Sequence, residues 1–296
     1  MFWIISCENK GNGMNHILDV SNLLYRGLYG ITTGDYGPSF YVLDTIETIM
    51  NSDEQCKIFL CLDGFPEKKK ELYKEYKGNR EHKVSVYDQL PALIYYLKNI
   101  NNIHILFNPK AEADDLIYTL SLSKDEKNII YSTDNDLFQC LNANTAINTG
   151  KEYITIDNLY SYEKYVKTFF CIPPERIVLY RAIVGDQSDN IKPCVPRFPH
   201  KLASVLAKKI DFDGESCPSL ESMKECCSLP ELSESEKIKI NNLITSFSSF
   251  EKSFEIMKLR KIHDFNYSYK KESCTIVHHY ILNKIIRIKN KLGVCQ

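Results

Sequence analysis

Residues 108–120, NPKAEADDLIYTL, set Glu112, Asp114 and Asp115 side by side at the head of an apolar stripe. Ala113, Leu116, Ile117 and Leu120 recur at helical spacing, so the acids occupy the first turn of an amphipathic helix. Acids near a helix N-terminus gain about 0.3–1 kcal/mol each from the dipole, which accounts for one or two of them without any further role. The other reading is that all three face a cation. The segments on either side of this helix bear on which is right.

Those segments alternate between short Ile/Leu/Val runs and helical patterns. HILDV (16–20), KIFLCLD (57–63), IHILF (103–107) and NIIYSTD (128–134) have the length and content of buried strands, with a further candidate in EYITI (152–156). Helical patterns cover 39–51, 85–99 and 111–123. Continuous apolar strands separated by helices predict an α/β domain over residues 14–190, a central, mostly parallel sheet with helices on both faces. Residues 1–13 read as a leader with no assignable role. After 190 the texture changes to a helical part: KPCVPRFPHK (192–201) is proline-rich and irregular, LASVLAKKI (202–210) is a short helix, and HHYILNKIIRIKNKLG (278–293) is a basic helix.

Apolar residues make up 44% of the 296 and charged residues 25%, the balance of an ordinary globular chain with ample core. The net charge of −1 does not argue against a polyanionic partner, because the charges are segregated along the chain. No apolar run approaches the roughly 20 residues of a membrane span, and MFWIIS is too short for a signal peptide. Eleven cysteines, an odd number without a C-x-x-C, point to reduced thiols and a cytoplasmic protein.

In a parallel sheet, functional groups collect at the carboxyl ends of the strands. Asp63 closes the second strand and Asp134 the fourth, with Asp136 two residues on; Asp19 lies near the end of the first. Glu112 and Asp114 open the helix after the third, and YRAIVGDQSDNI (180–191) adds Asp186 and Asp189. Singly, each acid has a structural explanation as a cap, a turn former or a paired buried group. Jointly they do not: two like charges 4 Å apart repel by roughly 4 kcal/mol at an effective dielectric of 20. Hard divalent cations relieve such a cluster, so the cation-facing reading of the first-turn acids is preferred.

Six stretches, ILDVSNLLYR (17–26), LCLDG (60–64), EYKGNR (75–80), EADDL (112–116), YSTDNDLFQCL (131–141) and AIVGDQSDNI (182–191), occur in the order found in the 5′-nuclease family. That family comprises phage 5′→3′ exonucleases, flap endonucleases and the 5′-nuclease domain of bacterial DNA polymerase I, and this chain resembles it from about 17 to 209. The resemblance implies a PIN-like sheet, a helical arch at about 65–100 and a helix-hairpin-helix clamp in the helical, DNA-binding part (191–296). By similarity, Asp63, Glu112, Asp114 and Asp134 hold one Mg²⁺ with Asp19 and Asp115 in its immediate shell, and Asp136, Asp186 and Asp189 hold or recruit a second; Mn²⁺ is expected to substitute. The implied activity is that of a monomeric, structure-selective 5′→3′ exonuclease and 5′-flap endonuclease, hydrolysing DNA phosphodiesters by a two-metal mechanism, with RNA primers in RNA–DNA hybrids as a further substrate. A catalytically weak or inactive nucleic-acid-binding homologue and a related ribonuclease remain the alternatives.

EKKKELYKEYKGNREHK (67–83) carries seven Lys/Arg against four Glu. Its first part, Lys68 to Lys74, reads as a solvated charged helix. Gly78-Asn79 then breaks the helix and fixes Lys77 and Arg80 near a turn. The resemblance implies that Lys77 and Arg80 contact the scissile phosphate and that Tyr76 stacks on the adjoining base, with Lys74 and Lys83 as further DNA contacts. The clamp departs from the family's glycine-rich hairpin: VPRFPHK (195–201) puts Arg197 and Pro199 where both glycines are expected. Proline has no N–H to donate and neither residue is expected to tolerate positive φ, which argues against backbone phosphate binding and against a K⁺ ion there. Arg197, His200 and Lys201 are expected to compensate with their side chains.

Overall fold

The structure is a computed structural model and describes residues 14–30, 37–79, 87–98 and 100–263. Its sheet has six strands: β1 (Asn15–Asp19), β2 (Lys57–Leu62), β3 (Ile103–Phe107), β4 (Asn128–Tyr131), β5 (Thr145–Asn148) and β6 (Tyr153–Ile154). The order is β3-β2-β1-β4-β5-β6, every pair parallel except β5–β6. β1 is therefore central, and Leu18 sits between Leu60 and Tyr131.

Successive residues of a strand face opposite sides of a sheet, and β1 shows the consequence. Leu18 enters one core, with Leu60 of β2 and residues of α1 (Val20–Gly30), α2 (Gly37–Ser52) and α4 (Leu90–Leu97). Ile17 enters the other, with Cys61 of β2 and Leu116 of α5 (Ala113–Ser121). Asp19 has the parity of Ile17, so the strand's alternation aims it toward the face that α5 covers.

The second core is the larger. It takes in α6 (Glu163–Phe169), α7 (Ile177–Val184), α8 (His200–Lys209), α9 (Leu220–Glu225), α10 (Glu234–Thr245) and α11 (Phe247–Met257). Leu202, Phe250 and Phe254 share this cluster with Ile17 and Ile130, so the packing runs without a break past residue 190. Residues 258–263 then return along α5: Asp115 Oδ1 accepts from Arg260 N at 2.8 Å and Thr119 Oγ1 from Ile262 N at 2.9 Å.

The strand expectations need one correction. β5, TAIN, was not anticipated, and of EYITI only Tyr153–Ile154 pairs, antiparallel to β5. Two short strands share one turn here, and four residues that follow Asn142 and Asn144 and end on Asn148 carry too little apolar pattern to stand out. Of the arch expected at about 65–100, α3 (Glu67–Leu72), residues up to 79 and residues 87–98 are described, and α4 within it packs into the Leu18 core. Arg80, Lys83, residues 1–13 and the expected C-terminal basic helix lie outside the described residues. Among the described residues, no helix is long and apolar enough to cross a membrane.

Candidate active site

The carboxyl ends of β1, β2 and β4 and the first turn of α5 meet at one edge of the sheet. Asp19 is buried at the end of β1, where its Oδ1 accepts from Asn22 N at 3.1 Å and its Oδ2 from Ser132 Oγ at 2.8 Å. Asn22 also braces the β4 end, accepting from Thr133 N at 3.2 Å. Asp134 Oδ1 accepts from Asp136 N at 2.9 Å, turning the chain after β4. Asp63 is exposed and reaches across to α5, where its Oδ1 accepts from Ala113 N at 2.9 Å. One of the orphan donors at that helix start is thereby met by an acid from β2, while Glu112 occupies the N-cap without capping.

These acids feel one another. Burial, then Asp63 and Asp134, push the Asp19 carboxyl up to about 7 against the pull of the Asn22 amide and Ser132. Burial, then Asp134 and Asp19, hold the Asp114 carboxyl well above its usual range, with Lys77 opposing. Asp19, Asp63, Asp114 and Asp134 thus form one negative group that Lys77 only partly offsets. Their donors are all hard carboxylate oxygens, the set that suits a divalent cation such as Mg²⁺. As placed, no three His, Cys, Asp or Glu side chains among the described residues gather tightly enough to enclose an ion. The acids share one field without yet sharing one coordination centre.

Glu112 belongs to a different balance. It is buried, with Lys69 Nζ 2.7 Å from Oε2, Tyr76 Oη donating to the same oxygen at 2.8 Å, and Lys77 Nζ paired with Oε1. Burial alone would raise its carboxyl, but Lys69 and Lys77 outweigh that and bring it down to about 2. Lys77, at φ 53°, also lies 3.9 Å from Asp189 Oδ2, and its N–H donates to Asp189 O at 2.9 Å. Asn190 Nδ2 to Glu75 O (2.9 Å) and Asn79 Nδ2 to Gln187 O (3.2 Å) complete a seam between the start of the arch and the loop after α7.

Three expectations change on this side of the site. Lys69 is not part of a solvated face: it is 6% exposed and turned inward onto Glu112. Tyr76 is 2% exposed, its ring flanked by Lys69 and Lys77 Nζ at 5.5 and 5.2 Å from the centroid, so it holds Glu112 and does not offer a stacking face. Asp115 lies about 100° around α5 from Asp114. It accepts from Arg260 N, and burial raises its carboxyl against the pull of Lys69. It docks the 258–263 segment and does not join the Asp19, Asp114 and Asp134 group.

The remaining acids flank an arginine that sequence reasoning passed over. Arg181, from the last turn of α7, places Nη2 2.9 Å from Asp136 Oδ1 and Nη1 3.0 Å from Asp186 Oδ2. Burial pushes the Asp136 carboxyl up to about 7; Arg181 opposes this, and Asp134 and Asp186 add to it. Gly185 (φ 73°) makes the turn that delivers Asp186, and a Cβ there would meet Ile191 O at 2.5 Å.

Beyond lies the hairpin. Phe198 N donates to Val195 O at 3.2 Å, with Pro196 second and Arg197 third in the turn. Arg197 adopts φ 54°, the positive value that a type II turn requires at its third position. The expectation that an arginine there would avoid this conformation is corrected: the turn keeps its shape with the backbone strain of a Cβ at positive φ. His200 Nδ1 pairs with Tyr180 Oη at 2.7 Å; Lys201, Arg197 and Lys74 are exposed. Beside Arg181 and Asp186 opens a cavity of about 930 Å³, bordered also by Lys167, Tyr180, Lys192 and His200.

A family model described as the 5′–3′ exonuclease N-terminal resolvase-like domain matches residues 14–167. A 5′–3′ exonuclease of Buchnera aphidicola subsp. Acyrthosiphon pisum is 31% identical over 230 residues, covering 71% of this chain and 78% of that one. A DNA polymerase I of Caldicellulosiruptor bescii is 31% identical over 225 residues, 70% of this chain; that match spans about a quarter (26%) of the polymerase. In three dimensions, the T5 D15 protein co-crystallized with metal ions superposes with a TM-score of 0.62 at 19% identity, covering 94% of this chain and 95% of that one. The bacteriophage T5 D15 flap endonuclease in a complex with DNA and metal ions gives 0.61 at 17%, with 94% and 95% covered. At such identities the likeness is one of fold.

Proposed function

The chain belongs to the 5′–3′ exonuclease family, and from that membership together with its acid cluster we propose that it is a structure-selective, divalent-metal-dependent nuclease. Its substrates are DNA with free 5′ ends or 5′ flaps, which it hydrolyses as an exonuclease and flap endonuclease; RNA–DNA hybrids are a second substrate class. Asp63, Glu112, Asp114 and Asp134, with Asp19 behind them, would hold one divalent cation, and Asp136, Asp186 and Asp189 a second. Bound Mg²⁺, or Mn²⁺ in its place, lowers the pKa of water and offsets charge on the phosphoryl and leaving oxygens.

The protein's own groups complete the site. Lys77 carries a fixed cation between Glu112 and Asp189, placed to counter negative charge developing on a phosphate. Lys69 and Tyr76 keep Glu112 ionised and oriented from beneath. The exposed Lys74, Arg197, His200 and Lys201, together with Arg80 and Lys83 further along the sequence, would be phosphate contacts that position the substrate as a monomer engages it. Such contacts do not distinguish a DNA from an RNA backbone, which supports the hybrid as substrate.

The observation that carries this reading is the convergence of Asp19, Asp63, Asp114 and Asp134 on one sheet edge, where burial and the neighbouring acids raise the Asp19 and Asp114 carboxyls. The test incubates purified protein with a 5′-flap duplex, a nicked duplex and an RNA–DNA hybrid in Mg²⁺, Mn²⁺ or EDTA, beside Asp134→Asn. Cleavage of all three in either metal, none in EDTA and none by the variant is expected. An intact flap in Mg²⁺, or cleavage indifferent to EDTA, overturns it.

A further inference from the structure

Arg181 gives one guanidinium nitrogen to each of two carboxylates from separate loops, 2.9 Å from Asp136 Oδ1 and 3.0 Å from Asp186 Oδ2. Asp186 is otherwise engaged as well, its Oδ1 accepting from Ser188 N at 2.7 Å and from Ser188 Oγ at 2.6 Å. The guanidinium carbon lies 5.4 Å from the centroid of the Phe169 ring, which supports the group from behind. Among the described residues neither its Nε nor Asp136 Oδ1 has a hydrogen-bond partner although both are buried, so the group is seated by charge and not by saturation of its donors.

From this geometry we propose that Arg181 is a resident counter-cation: it occupies the carboxylate oxygens of the second cation site, and a divalent ion enters there only as the guanidinium withdraws. The inference rests on the proposed function, because it presumes that these acids meet a metal. The two halves of the site are then unequal. Among the described residues Asp19, Asp63, Asp114 and Asp134 form no ion pair and take a cation readily, Glu112 alone of that set being already paired with Lys69 and Lys77, whereas Asp136 and Asp186 share the guanidinium directly. The guanidinium has somewhere to go, since the 930 Å³ cavity opens beside it, with Arg181 and Asp186 both on its wall. Lysine is not equivalent here. A point charge cannot reach both carboxylates in the planar fork that arginine presents.

Mn²⁺ alone, titrated calorimetrically into the metal-free full chain, tests this without any turnover. The native protein is expected to show one tight and one weak step. Arg181→Gln should tighten the weak step by about tenfold or more, as removal of an adjacent positive charge implies, and leave the tight step in place. Arg181→Lys should fall between the two. In EDTA, Arg181→Gln should melt at a lower temperature than the native protein, and saturating Mn²⁺ should close that gap. Should Arg181→Gln not fold, Arg181→Lys carries the test by itself, with an unchanged weak step overturning the proposal. Weakening of the second step in Arg181→Gln overturns it too, showing that the guanidinium builds the site and does not compete for it. Absence of Mn²⁺ binding to every form overturns the function along with it, whereas equal binding by all three overturns only the role of Arg181.

Discussion

Lys69 Nζ lies 2.7 Å from Glu112 Oε2, and both side chains are almost wholly removed from water. A buried ion pair adds little over an apolar pair, but losing one partner strands the other charge. Lys69→Met should therefore lower stability by about 2–3 kcal/mol, tempered because Lys77 and Tyr76 still hold Glu112. Urea unfolding measures this. A loss within experimental error would mean that Lys77 alone neutralises Glu112.

Asp114→Asn separates stability from chemistry. Burial and the neighbouring Asp134 and Asp19 disfavour its ionised form, so an isosteric amide relieves repulsion. In EDTA the variant should melt at or above the native temperature, while flap cleavage in Mg²⁺ falls by about 100-fold or more. A variant that melts lower without metal would show that Asp114 is held by partners rather than opposed by them.

Arg197 makes a third case, because its exposed side chain and its strained backbone pull in opposite directions. Arg197→Gly removes the cost of a positive φ in a residue with a Cβ, so thermal stability should rise by up to about 1 kcal/mol despite the looser unfolded chain. The same change would delete the phosphate contact proposed for Arg197. The slope of log affinity for duplex DNA against log salt should flatten by about 0.9. Native-like salt dependence in Arg197→Gly would remove Arg197 from the DNA-binding surface.

Which of these features the sequence disclosed follows from how local their signals are. β1 to β4 are legible because each centres on adjacent apolar residues bounded by polar ones, interrupted only by His104 in β3, and the acids at the ends of β1, β2 and β4 follow from that. β5 is not, being four residues with one strongly apolar side chain, Ile147. Lys69 stands among three consecutive lysines, and nothing local distinguishes the one that turns inward; only the packing of α3 against Glu112 does. Arg181 is the single charge in IVLYRAIV, where helical periodicity swamped it. Asp114 and Asp115 are adjacent in sequence, and the role of Asp115 rests on the 258–263 segment, whose Arg260 returns to it from 145 positions downstream, a contact no spacing rule supplies.

His16 offers a pH test away from the acids. It is buried in β1, with Nδ1 2.9 Å from Tyr131 Oη and Nε2 3.5 Å from Asp53 Oδ2. Burial pushes its imidazole below the usual value, with Asp53 opposing. The folded state therefore prefers neutral histidine more than the unfolded chain does, whose pKa is about 6.5. The stabilisation is complete above that value and is lost as pH falls toward the lower folded pKa. Between about pH 7.5 and about pH 5.5 the melting temperature of the native protein should drop further than that of His16→Gln, which retains hydrogen-bonding capacity but does not titrate. Other groups titrate equally in both proteins, so the difference between the two drops isolates His16. Equal drops would show that Asp53 compensates the buried imidazole in full, and a larger drop in the variant would reverse the sign and place a protonated histidine in the fold.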